Sequence, residues 1–145
     1  MVDALKHCQT FGDVTMEPHN PNSALRTDIR FTGSRQGGMS AQEFDVTVVS
    51  MATQDAKRVY WEKTEKVGEL QKVLDKFAQA KRAKYVGKTQ GAFQPLVFSI
   101  GGAQEEETAK VFEEWQKVMS PSTFSYMCRS ISLTLLKART KYFVC

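Results

Sequence analysis

Cysteine is scarce in this chain: Cys8, Cys128 and Cys145 are all there is, far apart and without C-x-x-C spacing. Three such residues make neither a disulfide framework nor a zinc cradle, and they suit a reducing compartment. Histidine is scarcer still. His7 and His19 stand alone, without ligand spacing, which leaves them structural or exposed. No apolar run approaches the roughly 18 residues of a membrane span, and the first residues lack a signal-peptide pattern. A soluble, intracellular protein with no membrane partner is expected. Internal repeats and low-complexity tracts are also missing.

What is present has the balance of an ordinary globular chain. At 145 residues, with 41% hydrophobic and 25% charged composition, residues 1–145 suit one domain with a core that needs no staples. The net charge of +4 leans toward anionic partners without proving one.

The first half is punctuated like a β-meander. Residues 2–10 suit one or two helical turns ending at Gly12, residues 14–17 a short strand stopped by Pro18, and residues 19–23 a turn. Strands are expected at 26–31 and 43–49, joined by a polar, glycine-rich connection over 33–38. From about Thr53 the period changes. Leu70, Val73, Leu74 and Phe77 recur at helical spacing, with Gly87 as a C-cap, while Gly68 separates residues 53–66 as another helix or arm. Residues 93–100 form a short apolar strand between glycines. Two helices follow, one with Val111, Phe112, Trp115 and Met119 on one face. The other opens at Ser120-Pro121, with a stripe of Phe124, Met127, Ile131, Leu135 and Tyr142. The expected class is α/β, a mixed central sheet flanked by helices.

Two carboxylates interrupt the β-branched stretches. Alternation sets Glu43, Asp45, Thr47 and Val49 on one face of their strand, and Asp28 with Arg30 on one face of the other. If the strands pair, Asp28 and Asp45 converge, and neighbouring acids repel unless a cation sits between them. With the Val46 carbonyl and waters they would give the all-oxygen shell that Mg²⁺ prefers. Read on their own, the same acids are surface residues paired with Arg26 or Arg30.

The order Arg-x-Asp, a short gap, then Asp-Val-x-Val resembles the PD-(D/E)XK nuclease superfamily, with "PD" written here as Thr27-Asp28. Downstream, Lys81-Arg82-Ala83-Lys84-Tyr85 and a Phe-x-Pro-Leu-x-Phe strand ending in Gly101-Gly102 narrow the resemblance. It is closest to the restriction-enzyme-like endonuclease domain of site-specific non-LTR retrotransposons and related reverse-transcriptase proteins, and it covers roughly residues 13–102. The resemblance implies a restriction-endonuclease-like fold, Mg²⁺ or Mn²⁺ on Asp28, Asp45 and Val46, DNA as partner, and a nuclear protein if the source is a retrotransposon. Glu17 would be the superfamily's extra acid; the plainer reading is a surface Glu on an edge strand. The superfamily's strand lysine is Thr47 here, and the branch moves that lysine onto the following helix. Lys81 and Lys84, four and seven residues beyond Phe77, are expected on its buried stripe, pointing where helix meets sheet. The branch's zinc-knuckle cysteines are absent.

After Asp75 the helix is wholly basic, with Lys76, Lys81, Arg82, Lys84 and then Lys88. Such a cluster beside acids can draw in a phosphate backbone that carboxylates alone would repel. Lys57 and Arg58 precede Tyr60-Trp61, an aromatic pair suited either to base stacking or to the core. The reading is a strand-nicking DNA endonuclease. The alternatives are a catalytically inactive nucleic-acid-binding module on the same fold and a protein-interaction domain.

Overall fold

The computed structural model describes residues 1–7, 12–18, 25–32, 41–50, 70–89 and 91–143. After the short helix α1 (Val2–Lys6), three strands follow: β1 (Asp13–Met16), β2 (Ile29–Thr32) and β3 (Ala41–Val49). Helix α2 (Leu70–Tyr85) then crosses to β4 (Ala92–Ser99), and α3 (Glu106–Val118) and α4 (Pro121–Phe143) follow. The strand order is β1–β2–β3–β4; β1, β2 and β3 pair antiparallel, while β4 runs parallel to β3. A parallel neighbour needs a crossover, and α2 lies in it. The sheet is therefore mixed and flanked by helices.

Each face of the sheet carries its own core. On one, Val49 and Val97 meet Val73, Leu74 and Ala78 of α2. On the other, Ile29, Phe31, Phe44, Leu96 and Phe98 pack with α1, α3 and α4 through Leu5, Phe112, Trp115, Met119 and Met127. The rings of Phe31, Phe44 and Trp115 pack around one another at centroid separations of 5.1, 6.0 and 5.4 Å, in tilted and edge-on arrangements that aromatic quadrupoles favour. Alternation along β3 thus sends Phe44 into this second core and leaves Glu43 and Asp45 on the α2 side.

Several boundaries differ from expectation for local reasons. β1 ends at Met16 because Glu17 adopts a left-handed φ of 45°, just before Pro18. β2 begins at Ile29, not at 26. Ahead of it the Asp28 N–H donates to the Phe44 carbonyl, and the Asp28 carbonyl accepts from the Glu17 N–H. Gly87, at φ 67°, ends α2 as expected, and Ser120 Oγ accepts the Thr123 N–H at the start of α4. Phe112, Trp115 and Met119, and Met127 and Leu135, are buried along their helices. The glycine-rich connection over 33–38, the helix expected over 53–66, the Tyr60-Trp61 pair, His19, Cys8, Cys145 and the side chain of Tyr142 lie outside the described residues.

Gly91 shows how tightly β4 is set. A Cβ there would stand 2.0 Å from the Ala41 carbonyl oxygen at the start of β3, so only glycine fits.

Candidate metal and phosphate site

Carboxylates on the α2 face of β3 are an electrostatic burden, and each is met by specific partners. Glu43 is 1% exposed. Its Oε2 accepts the Thr27 hydroxyl at 2.6 Å, and its Oε1 accepts Arg30 Nε at 3.1 Å beside Nη2 at 3.0 Å. Arg30 is thus committed to Glu43 rather than to Asp28 or Asp45, and Arg26 contributes its carbonyl instead. The picture of two acids paired with surface arginines therefore gives way to a buried network.

Asp45, also buried, is served from α2. Tyr85 Oη donates to its Oδ1 at 2.9 Å, and Lys81 Nζ lies 2.6 Å from Oδ2. The Tyr85 hydroxyl also lies 2.7 Å from the Arg26 carbonyl, and its single proton is shared between the two acceptors. Burial, and then the charge and hydrogen bond of Asp45, push the Tyr85 phenol well above its ordinary value, so it remains a donor. Its ring stacks on Phe93 at 4.5 Å, which fixes the hydroxyl.

Asp28 sits at the foot of β2, on the side of Asp45. Its Oδ2 accepts the Val46 N–H at 2.6 Å. Burial raises the Asp28 carboxyl above its ordinary value, the Val46 hydrogen bond opposes this, and the nearby Asp45 charge adds to it. Lys81 pulls the other way and Glu17 adds a smaller push. Asp28, Asp45 and Lys81 therefore occupy one electrostatic neighbourhood. In a strand the N–H and C=O of one residue point to the same edge, so the Val46 carbonyl faces the side on which Asp28 receives the Val46 N–H.

The remaining expected residues fall elsewhere. Lys84 is exposed, its Nζ 5.4 Å from the centre of the Tyr85 ring, and it does not share the inward face of Lys81. The buried line of α2 runs through Leu74, Ala78 and Tyr85, with Lys81 upon it. Phe77 is only half-buried, at the margin of that line, so spacing counted from it placed Lys84 too far inward. Glu17 is exposed at the end of β1. Arg82 Nη2 approaches Glu105 Oε1 at 3.8 Å, while Lys76 and Lys88 are exposed. The basic end of α2 is therefore not one surface: Lys81 turns in, Arg82 leans to α3, and Lys76 and Lys84 face out.

The donor set that a divalent cation could draw on is small. It consists of oxygen only: the carboxylates of Asp28 and Asp45 and the Val46 carbonyl, a sparse set of the kind Mg²⁺ completes with water and phosphate. The raised Asp28 carboxyl reflects its burial first and the Asp45 charge only after that. Among the described residues, no group of three or more His, Cys, Asp and Glu side chains is placed to hold a metal, so Glu17 does not join the other two acids. Thr47 keeps a buried hydroxyl with no hydrogen-bond partner among the described residues.

Sequence reasoning overlooked Tyr85 and the Thr27–Glu43–Arg30 network. Both left a signal. Tyr85 follows Lys81 by one helical turn, and Glu43 precedes Asp45 by one strand period.

Searches against protein-family models, curated proteins and solved structures return no match for this chain.

Proposed function

We propose that this chain is a metal-dependent DNA endonuclease of the PD-(D/E)XK kind, nicking one strand by hydrolysis of a phosphodiester. The observation that carries the reading is that Asp28, just ahead of β2, feels the charges of both Asp45 on β3 and Lys81 on α2, with Lys81 Nζ 2.6 Å from Asp45 Oδ2. The mixed sheet with flanking helices, and a lysine arriving from the helix after β3, agree with what the sequence resemblance implies. Its Lys-x-x-Lys-Tyr frame favours a retrotransposon-type source.

Asp28, Asp45 and the Val46 carbonyl would hold Mg²⁺ or Mn²⁺, which supplies Lewis acidity and a more acidic bound water. Tyr85 fixes the orientation of Asp45 through Oδ1. Lys81 places a positive charge where a scissile phosphate would gather negative charge in the transition state. Lys84, exposed beside the Tyr85 ring, would contact the flanking backbone rather than the reacting group.

Plasmid nicking in Mg²⁺ or Mn²⁺ tests the proposal. The wild type should nick, and Asp45→Ala should lose at least about a hundredfold in rate, the scale of removing a main electrostatic group, while DNA binding changes little. An Asp45→Ala variant that nicks like its parent removes the assignment. Thr47 at the usual lysine position favours one rival, an inactive nucleic-acid-binding module. A wild type that retards DNA but never nicks it would establish that rival.

A further inference from the structure

Both oxygens of Asp45 are in use. Oδ1 takes the Tyr85 hydroxyl at 2.9 Å, and Oδ2 faces Lys81 Nζ at 2.6 Å. The two partners differ in how firmly they are held. Tyr85 is pinned by its stack on Phe93 and by the Arg26 carbonyl. Lys81 reaches Asp45 from a side chain that is 28% exposed, against 7% for Asp45, and makes a close ion pair without an aligned hydrogen bond to Oδ2. Lys81 is the more exposed member of the pair. Oδ2 is therefore the oxygen that can change partners.

We propose that Lys81 is the resident counter-ion of this site. Its ammonium occupies Asp45 Oδ2 in the metal-free protein and gives that oxygen up when a divalent cation binds, which releases the ammonium toward the phosphate. The inference rests on the metal-site reading above and adds a direction to it: metal and lysine compete for one atom. Asp28 and Asp45 bring two negative charges, and one ammonium leaves them undercompensated, so removing it makes the pair a stronger sink for a divalent ion. A lysine that merely braced Asp45 would act in the opposite sense, because its loss would loosen the ligand and weaken metal binding. The exchange also couples metal to substrate, since a phosphate that attracts the ammonium relieves the competition.

Calorimetric titration of Mn²⁺ alone into the full chain separates these outcomes. Lys81→Met should bind Mn²⁺ about fivefold or more tightly than the wild type, the lower end of usual site–site coupling. Lys81→Gln, which keeps a polar end at a partly buried position, should do the same and serves if Lys81→Met folds poorly. Lys81→Arg retains the cation and should bind like the wild type, whereas Asp45→Asn should lose the site. Equal or weaker binding by both neutral variants overturns the proposal while leaving the metal reading intact. Tightening by Lys81→Arg also overturns it, since charge would then not be the cause. Absence of Mn²⁺ binding in the wild type and the neutral variants alike overturns the metal reading itself, and parental binding by Asp45→Asn places the ion elsewhere.

Discussion

Asp28 has the Val46 N–H and, more weakly, the Lys81 charge in favour of its ionised form, and burial, Asp45 and Glu17 against it. Its carboxyl in the folded protein is therefore raised above the ordinary 3.8. The sign follows from linkage. A raised acid disfavours the folded state when ionised, so the penalty is full above the folded pKa and fades as pH falls toward the unfolded value. Asp28→Asn keeps an oxygen for the Val46 N–H and removes the charge. In the absence of metal it should be at least as stable as the wild type near neutral pH, and its advantage should shrink on acidification and close only below about pH 4. Thermal melts of both proteins in chelator across that range read the difference directly. A gap that widens on acidification would mean that Asp28 is held as a favoured anion. The expected pattern would mark a carboxylate whose ionised form costs the fold stability.

At the scale of elements, the outer edge of β4 shows how α3 secures the sheet. The Glu105 N–H donates to the Val97 carbonyl at 3.0 Å, and the Val97 N–H donates to Thr108 Oγ1 at 2.9 Å. Glu105 caps α3 by accepting the Thr108 N–H at 3.0 Å, and the Thr108 hydroxyl lies 3.2 Å from the same carboxylate oxygen. Thr108 is fully buried, so Thr108→Val preserves volume and strands the Val97 N–H. The expected cost is about 1–3 kcal/mol, the usual penalty for a buried donor without a partner. Urea unfolding should show a lower midpoint with an unchanged slope, and Thr108→Ser should recover most of the loss. This edge was not legible in the sequence, because it depends on β4 lying outside β3 with α3 folded back over it. The elements themselves were legible wherever the period was strong. The stripes through Phe112, Trp115 and Met119 and through Met127 and Leu135 gave α3 and α4, and alternation put Glu43 and Asp45 on one face of β3. Strand order and direction come from tertiary packing, which no local period encodes. The inward turn of Lys81 and the outward turn of Lys84 depended on where the centre of α2's buried line lies, and half-buried Phe77 was a poor guide to it.

At the scale of the molecule, the buried acids and the exposed lysines of α2 stand apart. Glu43, Asp45 and Glu105 are buried acids, whereas Lys76 and Lys84 stand exposed on α2, outside the acid cluster. Among the described residues, Lys76 and Lys84 thus put positive charge on α2 at positions from which the buried acids are withdrawn. If this surface meets a phosphate backbone, it should do so with the salt dependence of counterion release, where each neutralised phosphate contributes about 0.9 to the slope of log K against log salt. Lys76→Gln with Lys84→Gln should therefore reduce that slope by roughly 2 in magnitude and should leave stability nearly unchanged, since both side chains are exposed. Lys110→Gln is the control. Its ammonium is already paired on α3 with Glu106 at 3.1 Å and Glu107 at 2.7 Å, and its loss should not move the slope. Fluorescence titration of a labelled duplex at several salt concentrations measures all three proteins. A double variant with the parental slope would take DNA contact away from the exposed lysines of α2, and the route by which a backbone reaches Asp28 and Asp45 would then have to run over another side of the site.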